Sequence, residues 1–141
     1  MQYKRMTLFA GHYGSGKTNI AVNYALHLKA LGEDVVIADL DIVNPYFRTR
    51  DSLEELNAAG IKLISSEFAS SNVDLPALPQ DVYSLLDKRD EKAIMDIGGD
   101  DRGAYALGRY SDAIIEENDY ELLFVFNKFN SLVNSWSFRS K

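Results

Sequence analysis

The feature that most constrains this chain is a glycine-rich loop at residues 11–18, GHYGSGKT, which directly follows the apolar run MTLFA. The loop matches the pattern G-x-x-x-x-G-K-[ST], in which glycines allow backbone N–H groups to turn inward around a phosphate. In that pattern Lys17 reaches the β- and γ-phosphates, and the Thr18 hydroxyl ligates Mg²⁺. The alternative is a chance glycine-rich turn without a ligand.

The sequence around the loop favours the first interpretation, because the apolar run before it predicts a buried strand and the residues after it predict a helix. A strand, a glycine-rich loop and a helix in immediate succession are the context that phosphate binding needs. The loop therefore predicts a site for a nucleoside triphosphate, ATP with Mg²⁺. The residues predicted to bind its phosphates are Gly11, Tyr13, Gly14, Ser15, Gly16, Lys17, Thr18 and Asn19.

Strands and helices alternate along the chain. Apolar and β-branched runs predict strands at residues 6–10, 34–39, 61–64, 93–97 and 122–126. Helical patterns follow the loop as far as Gly32, and then cover residues 53–60, residues 81–88 and parts of 102–117. This alternation predicts a three-layer α/β fold with a mostly parallel sheet and helices on both faces, in one domain over residues 1–141.

Three local patterns refine these elements. Ile20, Tyr24, Leu28 and Leu31 recur at spacings of four, four and three, which places them on one face of the first helix. Ser52 followed by Glu55 is a capping box and predicts the start of the second helix. Residues 67–79, which contain two prolines, are predicted to be irregular.

Three aspartates lie at predicted strand ends. Asp39 and Asp41 stand at and just beyond the second strand, and Asp96 ends the fourth, within AIMDIGGDD. Ligands of parallel sheets bind beyond the carboxyl ends of the strands, where carboxylates can support Mg²⁺ and orient an attacking water. We therefore predict Asp39, Asp96 and Thr18 as the metal site. The alternative is that such aspartates are helix caps or turn formers.

Two further strand ends carry candidate ligands. Gly99, after Asp96, is predicted to bring a backbone N–H to the γ-phosphate, with an ordinary turn as the alternative. Asn127 and Lys128 follow the fifth strand and are predicted to hold the base, with a plain turn as the alternative. Guanine is disfavoured because Asn130 stands where an N-K-x-D motif has aspartate.

The composition excludes several classes of function. The 141 residues carry a net charge of −6, so the mean field repels nucleic-acid phosphates and anionic lipid. There is no cysteine, which removes disulfides, thiolate metal sites and thiol catalysis. No apolar run is long enough to span a membrane and no secretory signal pattern is present, so a cytoplasmic protein that binds no nucleic acid is expected.

The loop GHYGSGKT, the segment IADLDIVNPYFR and the segment AIMDIGGDD together resemble the MinD and ParA type of P-loop ATPases, and most closely a bacterial group of uncharacterised MinD-like ATP-binding proteins. The resemblance covers about residues 5–130. It implies the P-loop NTPase fold, with Asp41 orienting or activating the hydrolytic water and Lys17 assisting catalysis. It also implies that Asp39 and Asp96 support Mg²⁺ and that Asn127 touches adenine.

The chain departs from the family pattern at two places. Where the family has a second lysine after the first glycine of the loop, this chain has His12. Residues 127–141, NKFNSLVNSWSFRSK, lack the further strands and helices of the family, so the C-terminal part of the fold is expected to be missing or divergent. Tyr46 and Phe47 lie in the segment that resembles the first switch and are candidates for partner contacts.

Three functions are compatible with these residues. The first is a slow ATPase whose switch loops, residues 41–50 and 98–108, signal to a homodimer mate or another protein. The second is a metabolic enzyme that uses ATP to activate a small molecule, and the third is a module that binds nucleotide without turnover. The fold alone does not choose among these functions. Phosphate release in the absence of a second substrate separates the first from the other two.

Overall fold

The computed structural model describes residues 2–41, 50–65 and 80–127. Its strands in chain order are β1 (Met6–Gly11), β2 (Val35–Asp39), β3 (Lys62–Ser65), β4 (Lys92–Gly98) and β5 (Tyr120–Phe124). Its helices are α1 (Lys17–Ala30), α2 (Arg50–Ala58), α3 (Gln80–Asp87) and α4 (Asp101–Glu117). The strands form one sheet in the order β3-β2-β4-β1-β5, and every neighbouring pair is parallel.

Helices cover both faces of this sheet. Successive residues of a strand point to opposite faces, so β1, β2 and β4 contribute apolar side chains to two separate cores. On one face Leu8 and Met95 belong to a cluster that includes residues of α3 and α4. On the other face Phe9 and Ile94 belong to a cluster that includes residues of α1 and α2. The α/β class, the parallel sheet and the two helical layers predicted from the sequence are thereby confirmed.

The strand order places a topological switch point between β1 and β4. These two strands are neighbours, yet β1 leads into α1 on one face and β4 leads into α4 on the other. The two connections therefore leave the carboxyl edge in opposite directions. In open α/β sheets this divergence is where ligands bind.

Arg5 lies at the amino ends of the strands, opposite the carboxyl edge, and links several elements there. Its side chain is only 5% exposed, and it donates to the carboxylate of Glu117 at the end of α4. It also donates to the carbonyl oxygens of Leu85, Lys88 and Glu91, at 3.3, 3.0 and 3.2 Å. A buried guanidinium with this many acceptors fixes the amino ends of β1 and β4 against α3 and α4.

The apolar face predicted for α1 packs on the sheet only in part. Leu28 is buried and Tyr24 packs against the same core cluster, whereas Ile20 and Leu31 are 45% and 56% exposed. The buried residues of α1 are Lys17, Ala21, Ala25 and Leu28. Two alanines therefore share the inner face with Leu28, and their small side chains let the helix lie close to the strands.

Other boundaries also differ from the predictions. The helix α2 already includes Ser52, so this serine is not its N-cap and the capping box does not open the helix. The helix α4 is continuous rather than partial, because the buried side chains of Ala106, Tyr110 and Ile114 hold it on the sheet despite its internal glycines. Residues 67–79, the first switch loop beyond Asp41, and Tyr46 and Phe47 lie outside the described residues.

The fifth strand begins two residues earlier than predicted and is an edge strand of the described sheet. Its register with β1 pairs Met6 with Tyr120 and Ala10 with Phe124. Leu122 and Phe124 are 54% and 61% exposed, although an apolar run of this kind is typical of an interior strand. Within the described part of the chain, β5 is therefore the least covered strand.

Candidate functional site

The loop between β1 and α1 turns on glycines with positive φ. Gly14 and Gly16 have φ values of 79° and 86°, a conformation that other residues rarely adopt. The N–H of Ser15 donates to the carbonyl oxygen of His12 at 3.1 Å, which closes a turn. Ser15 is buried, whereas Tyr13 is 76% exposed. The glycines predicted for a phosphate-binding loop are therefore present at positions where the backbone needs them.

The helix α1 begins directly after this loop, with Gly16 as its N-cap. The first turn contains no acidic side chain, and a Cβ built on Gly16 would meet no atom within 4 Å. Helix N-termini carry partial positive charge and donate N–H groups to anions. The space beside Gly16 is thus suited electrostatically to a phosphate.

The connection after β4 packs against the start of this loop. A Cβ on Gly99 would lie 2.4 Å from the carbonyl oxygen of Gly11 and 2.8 Å from the backbone nitrogen of His12. A Cβ on Gly103 would lie 1.8 Å from the carbonyl oxygen of Gly98. Glycine is required at positions 99 and 103 because backbones approach each other there. The predicted contact of the Gly99 N–H with a γ-phosphate stays a prediction.

Strand register brings two of the three aspartates side by side. Asp39 of β2 and Asp96 of β4 are direct partners in the parallel ladder. Each has the same parity as strand residues that face α1, so both side chains point towards the beginning of that helix. Both are almost fully buried, at 2% and 1% exposure.

Lys17 and Thr18, at the start of α1, meet these carboxylates. Lys17 Nζ donates to Asp96 Oδ1 and lies 3.5 Å from Asp41 Oδ2. The Thr18 hydroxyl donates to Asp96 Oδ2 at 2.7 Å. The lysine is itself buried, at 4% exposure. One carboxylate thus accepts from both of the loop side chains that the sequence assigned to phosphate and metal.

Asp39 has a different environment. Its Oδ1 accepts from the backbone N–H of Asp41 at 3.0 Å, while its Oδ2 is buried and has no hydrogen-bond partner. Burial, followed by the neighbouring charge of Asp96, raises the pKa of Asp39 from 3.8 to about 7. An orphaned, buried carboxylate oxygen of this kind is where a cation or a proton is most stabilising.

The third aspartate, Asp41, lies at the mouth of the group. Its side chain is 13% exposed, against 1% for Asp96. Its carboxylate lies beside the end of β4, since a Cβ on Gly98 would be 3.3 Å from Asp41 Oδ1. Of the three aspartates it is the most accessible.

The donor set suits Mg²⁺ better than a cation that needs a full protein cage. Among the described residues no group of three or more histidine or carboxylate side chains is arranged to hold a metal ion. The Thr18 hydroxyl nevertheless donates to Asp96, and the ladder partner of Asp96 is Asp39, whose Oδ2 has no hydrogen-bond partner. Mg²⁺ is usually bound through one or two carboxylates, several waters and substrate phosphates, so these groups fit it.

The structure leaves some predicted site residues apart from this cluster. Asn19 is exposed, and its carbonyl oxygen accepts from Asn23 within α1. Asn127 is exposed three residues beyond β5, and β5 is the neighbour of β1 in the sheet. Lys128 lies outside the described residues. The base contacts predicted for Asn127 and Lys128 stay predictions.

Two residues that hold the connection between β4 and α4 in place were not predicted from the sequence. Asp100 is the N-cap of α4, and its carboxylate accepts from the N–H of Gly103 at 2.9 Å. An aspartate three residues before a glycine, followed by an apolar helical pattern, was the available signal. These two residues fix where α4 begins and so where Gly98 and Gly99 lie.

No family model matches the chain, and no curated protein sequence matches it. The likeness to the MinD and ParA type therefore rests on the motifs themselves. Within the parts of the chain that the structure describes, no helix has the length and apolar character needed to cross a membrane.

Proposed function

We propose that this chain binds ATP together with Mg²⁺ and hydrolyses it slowly, acting as a nucleotide switch of the MinD and ParA type. One observation carries the proposal. At the carboxyl edge of a parallel sheet, the N-terminus of α1, with Gly16 as its N-cap, brings Lys17 and Thr18 together with three aspartates. Phosphate, divalent metal and attacking water each need one of these groups.

The phosphates would lie at the start of α1. The positive φ values of Gly14 and Gly16 shape the loop, and the open space beside Gly16 leaves room for an anion at the helix terminus. Lys17 follows directly, and its ammonium would pair with phosphate oxygens as a point charge. The exposed ring of Tyr13 stands at the rim of the same loop.

Thr18, Asp96 and Asp39 would hold the metal. Mg²⁺, when bound there, would supply positive charge that neutralises the phosphates. Asp39 is suited to this position because its Oδ2 is buried without a partner. Asp96 orients the Thr18 hydroxyl through their hydrogen bond at 2.7 Å.

Asp41 would orient the attacking water or accept its proton. It is the most exposed of the three aspartates, and it stands between the end of β4 and Lys17. Asp39 and Asp96 are buried deeper and would act through the metal. This division gives binding and hydrolysis separate residues.

Adenine would lie beyond the carboxyl end of β5, near Asn127. The side-chain amide can donate to and accept from a purine. ATP is preferred over GTP in this proposal because Asn130 replaces the aspartate that an N-K-x-D motif uses for guanine. The switch loops, residues 41–50 and 98–108, would present the nucleotide state to a homodimer mate or another protein.

Titration calorimetry with ATP and Mg²⁺ tests the binding. Lys17→Ala should weaken binding by about 2 to 4 kcal/mol, because it removes a charge-assisted partner from a partly desolvated anion. Lys29→Ala is the matched control, since Lys29 is on the same helix and pairs with Asp34 at 3.1 Å away from the loop. Equal affinity of the Lys17 variant and the wild type would contradict the proposal, as would a tenfold preference for GTP.

Phosphate release without any second substrate tests the hydrolysis. Asp41→Asn should reduce turnover by about 10²-fold or more with ATP affinity nearly unchanged, because shape is kept and the negative charge is lost. Asp39→Asn should instead weaken Mg²⁺-dependent binding. Tight binding with no turnover in the wild type would replace the switch by a module that only binds nucleotide.

A further inference from the structure

A single buried carboxylate holds both of the loop side chains proposed to bind the nucleotide. Asp96 accepts from Lys17 Nζ through Oδ1 and from the Thr18 hydroxyl through Oδ2. Asp96 and Lys17 are 1% and 4% exposed, so water screens their ion pair little. Lys17 is therefore not a free cation waiting beside the loop.

An anion that recruits Lys17 must take it from Asp96. Removing one partner of a buried ion pair is strongly destabilising, because the other charge stays buried without compensation. Asp39, which lies beside Asp96 in the ladder, would add to the repulsion when ionised. An anion that arrives with a divalent cation avoids this penalty, since the cation takes over the role of Lys17 at the carboxylate.

We propose that Asp96 is a specificity-determining residue that restricts the loop to the metal complex of a triphosphate, by withholding Lys17 and Thr18 from the metal-free anion. This inference rests on the proposed function and goes beyond magnesium dependence as such. The contact that imposes the dependence is the ion pair between Asp96 and Lys17 of the loop. The chemical class selected is a polyphosphate already complexed by a divalent cation.

The three aspartates should differ in this respect. Asp96 accepts from both Lys17 and Thr18 and is buried, whereas Asp41 accepts from Lys17, at 3.5 Å, and is partly exposed. Asp39 accepts from the backbone N–H of Asp41, and its other oxygen has no hydrogen-bond partner. Asp96 should therefore have the largest effect of the three.

Calorimetric titration of ATP, in EDTA and in excess Mg²⁺, tests the proposal on the full chain. Asp96→Asn should bind metal-free ATP about tenfold or more tightly than the wild type does, and its ratio of metal-free to Mg²⁺ dissociation constants should fall towards one. Asp41→Asn should gain about threefold or less. Asp119→Asn, an exposed change at the other edge of the sheet, controls for net charge and should leave both constants unchanged.

A double-mutant cycle separates the contact from the general field. In a Lys17→Met background, Asp96→Asn should give a clearly smaller gain in affinity for metal-free ATP, because only Thr18 and no lysine is left to release. An equal gain in both backgrounds would show that Asp96 acts through its charge alone and would overturn the proposal. So would the absence of any gain in Asp96→Asn when the wild type binds Mg²⁺–ATP.

The fold of each variant is checked by circular dichroism. If Asp96→Asn does not fold, Asp96→Ser serves in its place, because its hydroxyl can still accept from Thr18 while the charge is gone. A wild type that does not bind Mg²⁺–ATP would overturn the proposed function together with this inference. A wild type that binds Mg²⁺–ATP and metal-free ATP equally well would overturn this inference alone.

Discussion

The buried aspartate pair makes the stability of this chain depend on pH in an unusual direction. Burial and the charge of Asp96 raise the pKa of Asp39 from 3.8 to about 7, against the backbone N–H of Asp41 and the charge of Lys17, which lower it. The native state therefore binds a proton that the unfolded state releases at lower pH. Because the unfolded state has fewer bound protons in this window, the contribution of Asp39 to stability falls as pH rises from about 4 to about 7.

The size of the effect follows from the shift. At about 1.36 kcal/mol per pKa unit, ionising Asp39 in the native state costs about 4 kcal/mol above pH 7. At about pH 5 the native carboxyl is still protonated, and holding that proton costs about 2 kcal/mol of stability relative to low pH. The free energy of unfolding should thus decrease by about 2 to 3 kcal/mol between about pH 5 and about pH 8 from this group.

Asp39→Asn should remove this dependence. The asparagine oxygen can still accept from the N–H of Asp41, and its amide can donate towards Asp96, so shape and hydrogen bonds are kept. We expect the variant to be more stable than the wild type by about 2 to 4 kcal/mol at about pH 8, and by clearly less at about pH 5.

Urea unfolding of the ligand-free chain, followed by far-UV circular dichroism at both pH values, measures this difference. Asp119→Asn is the matched control, because Asp119 is 51% exposed and faces only Lys4 at 3.8 Å. The control should follow the wild-type profile. Parallel pH profiles for the wild type and Asp39→Asn would refute the reasoning, since the titrating group would then lie elsewhere.

Three further substitutions test the packing around the site. Gly99→Ala should destabilise the chain by about 1 to 3 kcal/mol and weaken ATP binding, because its Cβ meets the backbone of the loop after β1. Gly108→Ala should instead stabilise α4 by about 0.5 to 1 kcal/mol, measured by the same urea unfolding, because its Cβ would meet no atom within 4 Å. Arg5→Met should lower the free energy of unfolding by about 3 to 5 kcal/mol in urea, since it leaves the buried carboxylate of Glu117 without its cation. A loss under about 1 kcal/mol would show that Arg5 does not hold the strands and helices together there. Phe124→Ala on β5 should cost under about 1 kcal/mol, against about 3 to 5 kcal/mol for Phe9→Ala, and equal losses would show that β5 is covered.

Much of the site could be predicted because it depends on local sequence. Gly16, which the motif requires, has a positive φ, and so does Gly14 at a variable position of the same loop. Asp39 and Asp96 are at or near the ends of short apolar runs, and runs of this kind mark strands wherever they lie in the chain. The carboxyl edge of a parallel sheet then collects such residues without further information.

The rotation of α1 could not be predicted in the same way. The spacing of Ile20, Tyr24, Leu28 and Leu31 identifies an apolar face, of which Leu28 is buried and Tyr24 packs on the core. Ile20 and Leu31 are exposed, and Ala21 and Ala25 take their place on the inner face. Periodicity records which residues are apolar and not how closely a helix can approach the strands. That approach is decided by side-chain volume on both surfaces at once.

By itself the sequence determined that this chain has strands, a loop that turns on glycines before a helix, and aspartates at strand ends, because each depends on residues close together in the chain. Only the tertiary structure decided that Asp39 and Asp96 are ladder partners, that Asp96 holds Lys17 and Thr18, and that Gly99 meets Gly11. These contacts join strands β1, β2 and β4, whose order β2-β4-β1 differs from their order in the chain. Strand order follows from packing two helical layers on one sheet, which no local pattern encodes.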